Sequence, residues 1–200
     1  MKLKASFYQR DNVVKIAREL IGKVLFTNFD GIFTAGIITE TEAYNGIIDK
    51  ASHAYGDRRT QRTEIMYGSG GTAYVYLCYG IHSLFNVVTN KKDIPHAVLI
   101  RAIYPVEGFD QMRKRRKNLN ADKSSIAIGP GTVSQALGIH FSKSGTSLTG
   151  NEIWIEDKGI KIPPSKIIAG PRIGVGYAKE DAELPYRFRV LHSYFANIHY

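Results

Sequence analysis

Cysteine is almost absent from this chain: Cys78 is the only one in 200 residues. An intrachain disulfide is therefore impossible, and so is a zinc site built from several thiolates. No stretch approaches the roughly 18 apolar residues of a membrane span. Met1 to Tyr8 holds two lysines but no apolar core, so it does not read as a secretory signal. Acidic residues are in short supply, with 18 Asp plus Glu against 27 Lys plus Arg. Three common fingerprints are missing as well. There is no Walker A loop, no Gly-x-Gly-x-x-Gly leading from a strand into a helix, and no Gly-x-Ser-x-Gly elbow. His53, His82, His96, His140, His192 and His199 are scattered, with no partner at metal-ligand spacing. The expectation is an intracellular, soluble protein without metal, cofactor or membrane association.

The charge excess is +9, with a sequence pI near 9.6. Such a balance favours a polyanionic partner: DNA, RNA or an anionic surface. Hydrophobic residues at 44% and charged residues at 22% are ordinary for a globular protein. The length suffices for one domain with a full core, and no linker or repeat divides it, so residues 1–200 are read as a single domain.

Asp11 or Asn12 can cap a helix running to about Ile21. Its apolar stripe is Val13, Ile16, Ala17, Leu20 and Ile21, and Gly22 suits the position just past its end. Strands are expected at 23–27 and 32–39, around a turn at Phe29-Asp30-Gly31. A polar loop from Asn45 to about Gly71 follows. Further β-type runs lie at 73–79, 84–89 and 96–103, the last two forming a hairpin. A basic helix is expected from Val106 to Lys117, and a short one from Gly129-Pro130-Gly131 to Gly138. Late strands are expected at 152–156, 159–162 and 186–190, with a glycine-punctuated turn at 170–176. Strands grouped in the middle, with helices before and after, predict an α+β fold.

Glu40-Thr41-Glu42-Ala43-Tyr44 is the most informative stretch. If the strand of Ile37 and Ile38 continues through it, alternation places Glu40, Glu42 and Tyr44 on one face. Carboxylates beside a buried face must be paired or used. The pattern points to a general base beside a flat aromatic platform, with either glutamate as the base. Tyr74 and Tyr76 share a second strand face, and Tyr79 falls at its end beside Gly80. Aromatic rings near basic residues suit base stacking, worth about 1–3 kcal/mol per base. Arg58, Arg59 and Arg62 in the polar loop are candidate phosphate contacts. The run from Arg113 to Lys117 reads as a solvated helix face. Arg101, inside an apolar strand, needs an anionic partner, and Glu40 or Glu42 would serve. Asn86 sits in another apolar run and must find hydrogen-bond partners.

These residues occur in an ordered set. ETEAYNG, the His53 loop with RRTQR, GTAYVYLCYGIHSLFNVVT, AVLIRAIYPVEG, GPGTVSQALGI and GPRIGVGY follow one another. Together they closely resemble the alkyladenine (3-methyladenine) DNA glycosylase family over nearly the whole chain. The chain starts directly at the domain, so it looks like a compact bacterial type, acting in the cytoplasm or nucleoid. The resemblance implies a single domain with a central, mainly antiparallel, curved sheet flanked by helices.

By position, the resemblance implies Glu42 as the general base and Arg101 as the arginine that helps hold the site. It implies Tyr44 and Tyr76 as walls around an extruded base, with His53 as a further contact. Asn86 matches the residue that excludes normal guanine by clashing with its exocyclic amine. Tyr79 matches the side chain inserted into the duplex, and Thr60 and Met66 match DNA-facing loop positions. Asp57 places a negative charge near the same face. The implied activity is hydrolysis of the N-glycosidic bond of alkylated, and also deaminated, purines in double-stranded DNA. The implied enzyme is monomeric and lacks lyase activity. The alternative is a non-catalytic nucleic-acid-binding module of similar fold, and Glu42 discriminates the two.

Overall fold

A computed structural model describes residues 1–197; His199 lies outside them. After a single turn of helix, α1 (Ala5–Tyr8), the first expected helix appears as α2 (Val13–Leu20). The Asn12 side chain accepts the Lys15 N–H at 2.8 Å, which satisfies one of the free donors at the helix start. Val13, Ile16, Ala17 and Leu20 recur at helical spacing, and all four are buried. Gly22 follows at φ +84°, a left-handed backbone that a side chain resists.

Strands β1 (Val24–Phe29) and β2 (Ile32–Tyr44) pair through the Asp30-Gly31 turn. Both turn residues have positive φ, as a two-residue type I′ hairpin requires. β2 is much longer than the run at 32–39 and carries straight through the acidic pentad. Strands β3 (Ala73–Cys78), β4 (His82–Thr89), β5 (His96–Glu107) and β6 (Ile153–Glu156) complete the main antiparallel path, in the order β3-β4-β5-β2-β1-β6. Two short strands, β7 (Ile168–Gly170) and β8 (Arg187–Arg189), attach at the side. β8 pairs with Glu40–Glu42 of β2 along the edge that β1 occupies further up. The main core includes α2, α3 (Phe109–Arg116), α4 (Pro130–Leu137) and one side of the sheet. A smaller cluster under the 50s and 60s loop contains Met66, Tyr67 and Tyr74. The fold is α+β, as expected.

Several boundaries differ from the sequence reading. The helix expected from Val106 starts at Phe109, because β5 runs on to Glu107 and Gly108 turns the chain at φ +68°. Pro105 is tolerated inside β5 because it faces Gly36, where the β2–β5 register shifts. The run 159–162 forms no strand; Ile160 and Ile162 instead pack against the core from an irregular segment. β7 stands where a turn was expected to begin, held by pairing with β8. The basic run of α3 is more than a solvated face. Arg113 donates to Ala121 O, Arg115 to Ala136 O and Arg116 to Ile126 O, satisfying loop and helix-end carbonyls.

Candidate active site

The acidic pentad lies where β2 exchanges β1 for β8 as its neighbour. Register shifts flank Glu40 there, so alternation is locally disturbed. Both glutamates nevertheless converge on one cation: Arg101 Nε lies 3.1 Å from Glu40 and 3.4 Å from Glu42. Thr41 faces the other way and donates to Ala17 O of α2. The two carboxylates differ in their surroundings. Glu40 is partly exposed and also takes Arg187 at 3.2 Å. Glu42 is fully buried. Its Oε1 accepts the Ile173 backbone N–H at 2.8 Å, and its Oε2 accepts the Tyr44 hydroxyl at 2.8 Å. Burial raises its pKa above the ordinary glutamate value, against the opposing pull of Arg101, the Ile173 N–H and the Tyr44 hydroxyl.

A cavity of about 420 Å³ adjoins this carboxylate. Tyr44, Arg101 and Ile173, each in contact with Glu42, line it. His53, Tyr76, Asn86 and Met66 line it too, so β2, β3, β4, β5, the 50s and 60s loop and the turn at Ile173 all contribute to it. His53 Nδ1 lies 2.9 Å from the Tyr74 hydroxyl, and its ring stands edge-on to Tyr76 at 4.7 Å. Burial, then Arg62 and Arg58, push the His53 pKa down to about 4, so the ring is neutral at pH 7. Asn86 is buried, and its amide donates to the carbonyls of Tyr74 and Leu84 at 3.2 Å each. Those two bonds fix the rotamer of the amide that faces the cavity.

Tyr79 stands at the rim. It has left β3 for the turn to β4 and is 92% exposed. Its φ is +50° and that of Gly80 is +71°, so a large ring is held in a left-handed conformation at a hairpin tip.

The loop residues separate. Arg58 and Thr60 are exposed and share a second cleft with Lys50. Met66, expected to face DNA, is instead buried beneath the cavity among Tyr67, Tyr74 and Ala97. Arg59 is engaged within the protein, donating to Glu64 and Asp93 and lying over the Tyr67 ring. Arg62 is exposed too, but it lines the first cavity and its guanidinium lies 4.8 Å from the Tyr76 ring centre. Asp57 accepts the Tyr67 hydroxyl at 2.9 Å.

Two residues escaped the sequence reading. Arg172 and Asp49 form a fully buried bidentate pair, with Nη2 to Oδ1 at 2.9 Å. Arg172 also donates to Ala43 O and lies 4.9 Å from the Tyr44 ring centre. The pair thus backs the aromatic platform, and the next residue, Ile173, holds Glu42. The only local signal was an arginine in a glycine-punctuated turn. Among the described residues, no group of three or more His, Cys, Asp or Glu is arranged to hold a metal ion, and no helix is long and apolar enough to cross a membrane.

The family model for methylpurine-DNA glycosylase matches residues 6–193. The chain belongs to that family. It is 50% identical over 186 residues to a protein of Chlamydia abortus, covering 93% of this chain and 96% of the relative. A Clostridium perfringens protein is 42% identical over 197 residues, with 95% and 96% covered. One from Bacillus cereus is 43% identical over 196 residues, with 94% and 95% covered. All three bear the name "Putative 3-methyladenine DNA glycosylase".

Proposed function

We propose that the protein is a base-excision DNA glycosylase that removes alkylated, and also deaminated, purines from double-stranded DNA. The observation that carries this reading is Glu42: a buried carboxylate, wired to a cavity walled by tyrosines, beside a strained and exposed Tyr79. A module that only bound nucleic acid would have no use for a sealed negative charge facing a phosphate-rich ligand.

The proposed chemistry uses these groups in turn. A glycosidic bond within a stacked duplex is out of reach, so the nucleotide turns out at a cost of a few kcal/mol. Damaged, poorly paired bases turn out more easily. Tyr79 fills the gap that the nucleotide leaves. Tyr44 and Tyr76 stack the base in the cavity, with His53 and Asn86 presenting polar edges. Neutral His53 carries its proton on Nδ1 toward Tyr74 if Arg62 donates to Nε2, 3.5 Å away. Glu42 then takes a proton from a water, whose oxygen bonds to the deoxyribose anomeric carbon. The bond to the base breaks, its electron pair leaves with the base, and an abasic site remains. Arg101 holds the carboxylate in place, and Glu40 is a structural neighbour that shares that arginine. No lysine lines the cavity, which supports hydrolysis without lyase activity. Arg58 and Thr60, exposed in the cleft that they share with Lys50, are the proposed phosphate contacts. The proposed enzyme acts as a monomer inside the cell.

The test is release of 3-methyladenine from methylated duplex DNA by wild type and Glu42→Gln. Removing a general base lowers the rate by about 100-fold or more. If neither form releases base, the protein is a binding module. If both release it equally, Glu42 is not the base.

A further inference from the structure

We infer that Arg62 sets lesion preference by disfavouring cationic bases relative to neutral ones. This rests on the base-excision reading and asks which lesions that site prefers. A purine alkylated at N3 or N7 carries a positive charge, whereas a deaminated purine is neutral. Aromatic walls alone would favour the cation, because a ring face attracts positive charge. Here both walls already hold one. Arg172 lies 4.9 Å from the Tyr44 ring centre and Arg62 lies 4.8 Å from that of Tyr76.

The two guanidinium groups are not equivalent. Arg172 is matched by Asp49 in a buried pair, so its charge is largely neutralised from the cavity's side. Arg59, three residues from Arg62, is matched by Glu64 and Asp93. Arg62 lies outside the ion pairs of the described residues, and it lines the base cavity. Its field already acts on the titratable rings beside it: His53, lowered first by burial, is lowered further by Arg62, and Tyr74 and Tyr76, raised first by burial, are pulled back down by it. A cationic base entering the same cavity meets the same field, and like charges at this range repel unless solvent or a counter-charge intervenes. It also competes with Arg62 for the Tyr76 face. A neutral base does neither.

Phosphate binding, the role expected of Arg62 from sequence, predicts something different. A phosphate contact weakens binding to every duplex alike when it is lost. The ratio of two lesions on one duplex sequence therefore isolates the effect on the base.

The experiment is single-turnover excision from two duplexes that differ only in the lesion, 7-methylguanine or hypoxanthine. Wild type, Arg62→Met and Arg62→Lys are compared. Methionine keeps an apolar stem over Tyr76 without charge; lysine keeps the charge. Arg62 is exposed, so neither change endangers the fold, and matching melting curves check this. The expected result is that Arg62→Met raises the ratio of 7-methylguanine to hypoxanthine excision by about threefold to tenfold. Arg62→Lys should raise it by clearly less. An unchanged or lower ratio in Arg62→Met overturns the inference, as does an equal rise in both variants, which would assign the effect to shape. Release of neither base by wild type removes the excision reading itself, and the inference with it.

Discussion

Asp49→Ala removes one half of the buried pair behind the Tyr44 platform. Both side chains are sealed from solvent, at 0% and 1% exposure. Alanine leaves the Arg172 guanidinium charged with only the carbonyls of Ala43 and Asp181 as acceptors. It also strands the backbone N–H groups of Asn45 and Ala51, which now donate to the Asp49 carboxylate. Breaking a buried pair from one side costs about 3–5 kcal/mol, because the remaining charge is unpaired. For a chain of this size, each kcal/mol lowers the melting temperature by about 2–4 °C, so a fall of about 6–20 °C is expected. The assay is thermal unfolding followed by circular dichroism. Asp93→Ala is the control, since its partner Arg59 is roughly half exposed and such pairs contribute about 1 kcal/mol or less. The double change Asp49→Leu with Arg172→Met should recover much of the loss, since no lone charge is then buried. Excision at a temperature where Asp49→Ala stays folded should also drop, because the pair positions both the Tyr44 ring and the Ile173 N–H. A fall of less than about 3 °C, or a double variant as unstable as the single one, would refute this account of the pair.

Two further outcomes follow from the site. A general base must be ionised, so excision is present above the Glu42 pKa and is lost as pH falls through it. Burial has already moved that loss above the ordinary glutamate range. The Tyr44 hydroxyl opposes the shift, so Tyr44→Phe should move the acid limb of the single-turnover pH profile to higher pH. A limb that stays put or moves down would remove Tyr44 from this role. At the rim, Tyr79→Gly relieves a positive φ on an exposed ring. Stability should hold or rise by up to about 1 kcal/mol in urea unfolding, while affinity for lesion-containing duplex weakens. A destabilised variant with unchanged DNA affinity would show that Tyr79 serves the fold instead.

Much of this protein is written in short-range pattern. The α2 stripe, the Asn12 cap and the Asp30-Gly31 hairpin need only neighbours within a few residues, and all three appear as expected. The pentad could be read as a candidate base beside an aromatic platform because strand alternation is local. Choosing between its glutamates required the motif resemblance; their unequal burial, with Glu42 sealed and Glu40 partly exposed, appeared only in the fold. Other features lie beyond local pattern because distant segments create them. β5 runs through Pro105 only because a register shift on β2 accommodates it there. Met66 is buried and Arg59 is ion-paired because the loop folds back on β4 and β5. Arg172 meets Asp49 across 123 positions, and nothing near either residue in sequence announces the other. Periodicity assigns a residue to a face, but a charge in that face is settled by whatever the fold brings within about 4 Å of it. That is why Glu42 stood out along the chain as a candidate base, while the groups that hold it, and the approach of Arg62 to Tyr76, appeared only in the folded molecule.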